Sequence, residues 1–167
     1  RLWAGETVTH SGEHFELVDA AIDPLPVQNP LELWFGGAIP SALRRVGRLG
    51  DGYIPGLSTP QEGAEKKLAV QDAAQEFNRT VDQEHFGVNL SYSRGPLSST
   101  ARESLMQRRP DVDPEKLIPT SATSLNETID AWIEAGYSKF LLRPVEAPAD
   151  WSHELEQLAS EVLDRQS

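Results

Sequence analysis

Strand-like and helix-like segments alternate along most of this 167-residue chain, and that alternation limits the folds open to it. Short apolar runs typical of buried strands are separated by longer stretches in which apolar residues recur at helical spacing. Strands separated by helices cannot pair as hairpins, so we expect them to run parallel and to be covered by helices. The predicted order is β-α-β-α-β-loop-α-β-α, an α/β fold with strands at 31–35, 52–56, 86–93 and 139–144.

Capping residues predict where several helices begin. Thr59 and Glu62 have the spacing of a capping box, in which each side chain accepts a hydrogen bond from the other residue's backbone amide. Ser124 and Glu127 predict a second capping box, and Asp150 is a suitable N-cap for the last helix.

Two segments depart from the alternation, and they set the predicted domain organisation. Residues 1–30 are predicted to form an N-terminal hairpin and an extended lead-in, and residues 31–167 to form four βα units. A long irregular loop at 94–122 interrupts these units, and loops of that length are usually lids or binding elements. His10 and His14 match the H-x-x-E-H zinc pattern by letters, but Gly12 and its β-prone neighbours predict a hairpin, so no metal site is expected.

The charge balance argues against two classes of partner. Lys and Arg number 15 against 26 Asp and Glu, a formal net charge of −11, whereas nucleic acids and anionic membranes attract clustered cations. No apolar run is long enough to span a bilayer. The chain lacks cysteine, which is consistent with a cytoplasmic protein, and it begins without methionine, so we expect upstream sequence to have been removed.

The strand-to-helix turn at Gly36, Gly37 and Ala38 is the strongest candidate binding site. The first amides of a helix lack intrahelical partners and lie at the positive end of its dipole. Glycines let such amides approach a bound anion closely, so the turn before Pro40 is a candidate phosphate site. A tight turn that needs glycine only for steric reasons remains the alternative.

Arg143 lies near the end of the fourth predicted strand, where barrel enzymes keep their sites. It is a candidate to bind a cofactor phosphate or an anionic substrate, and an ion pair with a helix carboxylate is the alternative. Gly56, which follows the second strand, is a further candidate for cofactor binding on the same rim. No catalytic residue is assigned.

Several spaced motifs resemble the bacterial-luciferase-like oxidoreductases. The resemblance runs from "GEHF" through "PLPVQ", a strand ending in Gly-Gly, paired arginines in the next helix and "GDGY". The segment "SLNETIDAWIEAGYSKFLLRP" is similar to the last helix-strand unit of that family. The matching positions are Gly12, Phe15, Pro24, Pro26, Gln28, Gly36, Gly37, Arg44, Arg45, Asp51 and Gly52.

This resemblance implies the C-terminal half of a (β/α)8 barrel that binds FMN or the deazaflavin coenzyme F(420). It implies a hydride-transferring oxidoreductase or a monooxygenase acting on a small molecule, with the cofactor phosphate at Gly36 and Gly37. A missing N-terminal half or a second copy of the chain would complete the barrel, and a homo-oligomer is expected. The alternative is a non-catalytic half-barrel that binds a phosphorylated ligand or assembles with itself.

Overall fold

The computed structural model describes residues 1–163, which divide into two units, 1–33 and the chain from Trp34 onward. The first unit contains a short 3-10 turn at Leu2–Ala4 and two antiparallel strands, β1 (Val8–Ser11) and β2 (Glu16–Ala20). His10 therefore lies on a strand opposite Leu17 and not on a helix. This places the H-x-x-E-H letters on a hairpin, where the two histidines do not share a helical face.

The second unit is built on parallel strands, as the alternation predicts. They are β3 (Trp34–Gly36), β4 (Gly52–Ile54), β5 (Gly87–Tyr92) and β6 (Lys139–Pro144). β3 pairs in parallel with β4, and β5 with β6. A parallel bridge between Tyr53 and Phe86 joins the two pairs, so the spatial order follows the chain order. The result is an α/β fold with a parallel arrangement of strands.

In the part of the chain that the structure describes, six α-helices follow or separate these strands. They are α1 (Pro40–Leu49), α2 (Pro60–Glu76), α3 (Ser99–Arg108), α4 (Pro114–Leu117), α5 (Ala122–Glu134) and α6 (Trp151–Val162). Within the predicted loop at 94–122 the sequence indicates one short helix, around 103–108, whereas the structure has two helices there, the longer α3 and α4. Within residues 1–163, no helix has the length and apolar character needed to cross a membrane.

The main core lies between the strands and the helices that pack on one face of them. Phe86, which directly precedes β5, and Val88, Leu90 and Tyr92 along the strand are all buried on that face, as their spacing predicts. Edge-to-face aromatic contacts link Phe86 to Tyr137 and Tyr137 to Trp132, with ring centroids 6.0 and 4.8 Å apart. The opposite face of β5 and β6 is open, and Asn89, Leu141 and Arg143 are exposed on it.

Two helix predictions need correction. The start of α5 is at Ala122, because Ser121 is its N-cap and Ser124, not Glu127, completes the capping box. In α1, helical spacing predicts that Ala42, Val46 and Leu49 share the buried face, but Leu43, Val46 and Gly47 form it and Leu49 is 46% exposed. The buried face differs from the predicted one because Gly47 lets α1 approach the backbone of α2 closely. A Cβ at Gly47 would lie 2.6 Å from the amide nitrogen of Ala74.

Candidate functional site

Because the strands are parallel, their carboxyl ends meet along one edge. Gly36 lies beside Ile54, the last residue of β4, and Arg143 lies beside Ser91 near the end of β5. Ala38 and Gly56 follow the strands that end at this edge. All of the cofactor-binding residues predicted from the sequence therefore lie at or just beyond the carboxyl edge.

The β3–α1 turn has a conformation that requires glycine at its centre. Gly37 has a φ of +123°, and a Cβ at this position would lie 2.7 Å from the Cβ of Ala42. The hydroxyl of Tyr53 donates a hydrogen bond of 2.6 Å to the Gly37 carbonyl and holds the turn in place. Burial raises the pKa of Tyr53 to about 12, so this hydroxyl remains a donor at neutral pH.

The amino terminus of α1 is left open. Among the six α-helices of residues 1–163, it is the one without a side-chain cap, since its N-cap is Ile39. Within the same residues, the amides of Ala38, Ile39 and Ser41 have no hydrogen-bond acceptor. The first turn of α1 also contains no carboxylate. These amides and the helix dipole together favour an anion.

Gly56 and Arg143, the other two residues predicted to bind the cofactor, differ in their surroundings. Gly56 is exposed, and a Cβ added to it would meet no atom within 4 Å, so sterics do not explain its glycine. Arg143 is exposed on the open face of β6 and forms no ion pair with any other residue in the described range 1–163. Within this range, therefore, Arg143 does not form the ion pair with a helix carboxylate that was the alternative to ligand binding.

A partly buried ion-pair network joins the end of β5 to α6. Glu154 accepts hydrogen bonds from the Tyr92 hydroxyl at 2.6 Å and from Nη2 of Arg94 at 2.7 Å. The Arg94 hydrogen bond holds the pKa of Glu154 below its ordinary value, although burial acts in the opposite direction. Burial and the Glu154 contact raise the pKa of Tyr92 to about 12.

The segment 94–122 has its own small core and its own ion pairs. Leu105, Leu117 and Ile118 pack together, with Leu57 from the β4–α2 connection and Val145 beyond β6 among their partners. Arg109 donates to the Leu57 carbonyl at 2.7 Å and to Glu62 at 2.6 Å. Burial raises the pKa of Glu62, but its hydrogen bonds to Arg109 and the Thr59 amide outweigh this and hold the pKa below its ordinary value.

The sequence located the turn at the carboxyl edge but missed the two ion-pair networks. Glu154 belongs to a helix whose carboxylates are expected to be solvated, and Arg109 lies just after the one short helix predicted in the loop, at 103–108. The only signal for the first network is the seven-residue spacing of Glu154 and Glu161, which places both on one helix face for Arg94 to contact. Residues 1–163 contain no cluster of histidine and carboxylate side chains placed to hold a metal ion.

The sequence of this chain matches a known protein family and is similar to several known enzymes. The family model for luciferase-like monooxygenases matches residues 1–151. An F420-dependent glucose-6-phosphate dehydrogenase from Beutenbergia cavernae is 28% identical over 194 aligned positions, which cover 98% of this chain and 56% of that protein. The corresponding enzyme from Microbacterium testaceum is 34% identical over 104 positions, 61% of this chain and 31% of that protein. The chain thus spans about half the length of the Beutenbergia relative.

Solved structures show the same fold at low sequence identity. An F420-dependent secondary alcohol dehydrogenase in complex with an F420-acetone adduct has a TM-score of 0.71 at 18% identity, covering 99% of this chain and 58% of that one. The F420-dependent tetrahydromethanopterin reductase of Methanopyrus kandleri has a TM-score of 0.69 at 14% identity, with 99% and 60% covered. An FMN complex of a Baeyer-Villiger monooxygenase from Pseudomonas putida has a TM-score of 0.62 at 17% identity, also with 99% and 60% covered. The extent of the family match shows that this chain belongs to the luciferase-like monooxygenase family.

Proposed function

We propose that this chain is the cofactor-phosphate-binding part of an oxidoreductase that uses F420 or FMN. The observation that carries this proposal is the uncapped amino terminus of α1 at the carboxyl edge of the parallel strands. Ligands of parallel α/β proteins bind at that edge, and a helix amino terminus there suits a phosphate.

The turn also fits a phosphate group sterically. A Cβ at Gly37 would meet Ala42, and a Cβ at Gly36 would lie 3.2 Å from the Ile54 carbonyl oxygen, so both positions favour glycine and no side chain there covers the neighbouring amides. The amides of Ala38, Ile39 and Ser41 supply the donors, and no first-turn carboxylate competes with the ligand. Both FMN and F420 carry a phosphate group that such a turn can bind.

Each residue of the site has a defined task in this proposal. The turn amides bind the phosphate, while Tyr53 keeps the Gly37 carbonyl turned toward the core. Gly56 leaves room beside the β4 exit, and Arg143 supplies a positive charge on the open face of β6. When bound, F420 or FMN supplies the hydride-accepting or hydride-donating chemistry.

We further infer that the parallel strands form the C-terminal half of a (β/α)8 barrel. In the related structures the matched region is about three-fifths of the chain, and a barrel requires eight strands. The exposed face with Asn89, Leu141 and Arg143 would then be lined by four further strands, from the rest of the protein or from a second copy.

F420 is the preferred cofactor in this proposal, because the curated relatives are named F420-dependent glucose-6-phosphate dehydrogenases. The test is a fluorescence titration of the full-length protein with F420 and, separately, with FMN, followed by turnover assays with glucose 6-phosphate as the first substrate probe. We expect saturable binding of F420 that is tighter than binding of FMN.

Two outcomes would contradict the proposal. A full-length protein that binds neither cofactor at millimolar concentration would remove the cofactor role. Saturable binding of inorganic phosphate and self-association, without any cofactor affinity, would support the non-catalytic half-barrel instead.

A further inference from the structure

Glu154 is the one charged residue of the described range 1–163 that is buried, with 7% of its surface exposed. It lies in the first turn of α6, four residues after the N-cap Asp150. Taking a carboxylate out of water costs several kcal/mol unless charged and hydrogen-bonding partners compensate for the lost hydration. The partners that compensate for the burial of Glu154 therefore show which parts of the fold its carboxylate holds together.

The side-chain partners of Glu154 lie at the end of β5 and just beyond it. Tyr92, the last residue of β5, donates its hydroxyl proton at 2.6 Å. Arg94 donates from Nη2 at 2.7 Å and from Nε at 3.0 Å, and its Nη1 reaches Glu161 at 2.5 Å. The Arg94 guanidinium also lies 5.3 Å from the centre of the Tyr92 ring. One carboxylate thus fixes two side chains on either side of Ser93.

The backbone around Ser93 is where several connections meet. The Ser93 amide donates to the Pro119 carbonyl at 2.9 Å, and the Val145 amide donates to the Tyr92 carbonyl at 2.8 Å. The exit of β5, the far end of the 94–122 segment and the residue after β6 are therefore held together at one point. Movement of Tyr92 or Arg94 would be transmitted to all three.

This junction is within reach of a ligand bound at the β3–α1 turn. Adjacent strands are about 4.8 Å apart, so the exit of β5, two strands from β3, lies about 10 Å across the sheet. A tricyclic ring system linked to a phosphate spans such a distance. A ligand anchored by its phosphate at α1 and extending over the carboxyl edge would meet the backbone that Glu154 holds.

We propose that Glu154 is a positioning residue for the cofactor: it fixes Tyr92 and Arg94, and through them the β5 exit against which the cofactor rests. This inference rests on the proposed cofactor site at the β3–α1 turn. Glu154 acts through its partners and is not a catalytic residue.

The test compares three forms of the full-length protein: wild type, Glu154→Gln and the control Glu76→Gln. The first variant keeps an acceptor for Tyr92 but removes one of the two carboxylate charges that hold Arg94, and the other, on Glu161, remains. The control also removes the charge from an ion pair, since Glu76 pairs with Arg44 at 3.0 Å, but both of those side chains are more than half exposed on the helical layer. F420 and FMN affinities are measured by titration, and amide hydrogen exchange is followed over residues 93–98 and 117–121.

We expect Glu154→Gln to weaken binding of the preferred cofactor roughly fivefold and to speed exchange in both segments, whereas Glu76→Gln changes neither. Faster exchange with unchanged cofactor affinity would overturn the positioning role and leave Glu154 a structural residue. Unchanged exchange would overturn the ordering of the β5 exit by Glu154. A wild-type protein that binds neither cofactor would instead overturn the proposed function on which this inference rests.

Discussion

Gly37 is the residue on which the geometry of the β3–α1 turn most depends. Its φ of +123° is closed to most side chains, and the space a Cβ would need is taken by Ala42. The sequence indicated glycine at this turn for either a steric or a ligand-binding reason. The structure supports the steric reason directly. The ligand-binding reason is supported by the uncapped amides beside the turn.

Replacement of Gly37 should therefore reduce stability. We expect Gly37→Ala to lower the free energy of unfolding by about 1–3 kcal/mol, because alanine must adopt a strained backbone and push against Ala42. Urea denaturation measures the change. Gly95→Ala is the control: a Cβ there meets no atom within 4 Å, so a change of less than about 0.5 kcal/mol is expected. Equal effects of the two substitutions would show that the turn is not constrained.

The ionisation of Glu154 should appear in the pH dependence of stability. Its hydrogen bond with Arg94 holds the pKa in the folded protein below the ordinary value of 4.5. A depressed carboxyl pKa stabilises the fold above the unfolded-state pKa, and the contribution disappears as the pH falls through the folded-state pKa. The difference in unfolding free energy between wild type and Glu154→Gln should be about 1–3 kcal/mol at pH 7 and shrink below pH 4.5. A difference that stays constant down to pH 3 would contradict this assignment.

Single residues of α6 also show the limits of a helical pattern. Trp151, Leu155, Leu158 and Val162 share a spacing that predicts a buried stripe, yet Trp151 and Leu155 are 52% and 58% exposed. The buried face instead carries Glu154, because Tyr92 at the end of β5 and Arg94 just beyond it donate hydrogen bonds to its carboxylate. Spacing identifies the helix, but the contacts made by distant residues decide which face is buried.

At the scale of elements, helix ends were predictable where the capping chemistry is local. Thr59 and Glu62 form the predicted capping box of α2, and Asp150 caps α6. The start of α5 was misplaced because Ser121 and Ser124 are both good N-cap residues, and the extra turn is selected by the hydrogen bonds between them. The helices of the 94–122 segment were harder to predict, since their small core includes Leu57 and Val145 from outside the segment.

Arg109 should be the main polar link between that segment and α2. Its guanidinium contacts the Leu57 carbonyl, Glu62 and Asp111 together, and a lysine cannot reproduce that planar set of donors. We expect Arg109→Lys to speed amide hydrogen exchange in α3 and α4 about tenfold, equivalent to about 1.4 kcal/mol of local stability.

The neighbouring residue provides the matched control for this prediction. Arg108 is exposed and forms no ion pair within residues 1–163, so Arg108→Lys should leave exchange in α3 and α4 unchanged. Identical exchange rates in the Arg109 and Arg108 variants would mean that apolar packing alone holds the segment.

At the scale of the whole molecule, the alternation of strands and helices was enough to predict that the strands run parallel. It did not reveal the open face of β5 and β6, because exposure depends on which other strands are present. The matched region covers 56% of the length of the Beutenbergia relative, and Leu141 and Arg143 are exposed on this face of the strands.

The open face should make the isolated 167-residue chain prone to association. Leu141 is 54% exposed on that face, and unpaired strand edges favour further pairing. We expect the isolated chain to self-associate in sedimentation experiments, and Leu141→Lys to weaken that association about tenfold. Leu68→Lys, at a residue 61% exposed on α2, is the control and should have no effect. An isolated chain that remains monomeric at high concentration would contradict the expectation.

The claim that open amides at the start of α1 hold a cofactor phosphate is tested most directly by adding a negative charge there. Ser41 is exposed at the second position of α1, and Ser152 is exposed at the second position of α6, whose amino terminus is already capped by Asp150. Ser41→Asp and Ser152→Asp are thus the same change in two helices, and each complements its helix dipole by about 0.3–1 kcal/mol. In titrations of the full-length protein with F420 and FMN, we predict that Ser41→Asp weakens binding at least about tenfold without loss of stability, while Ser152→Asp does not. Equal cofactor affinities in the wild type and the Ser41 variant would contradict the account.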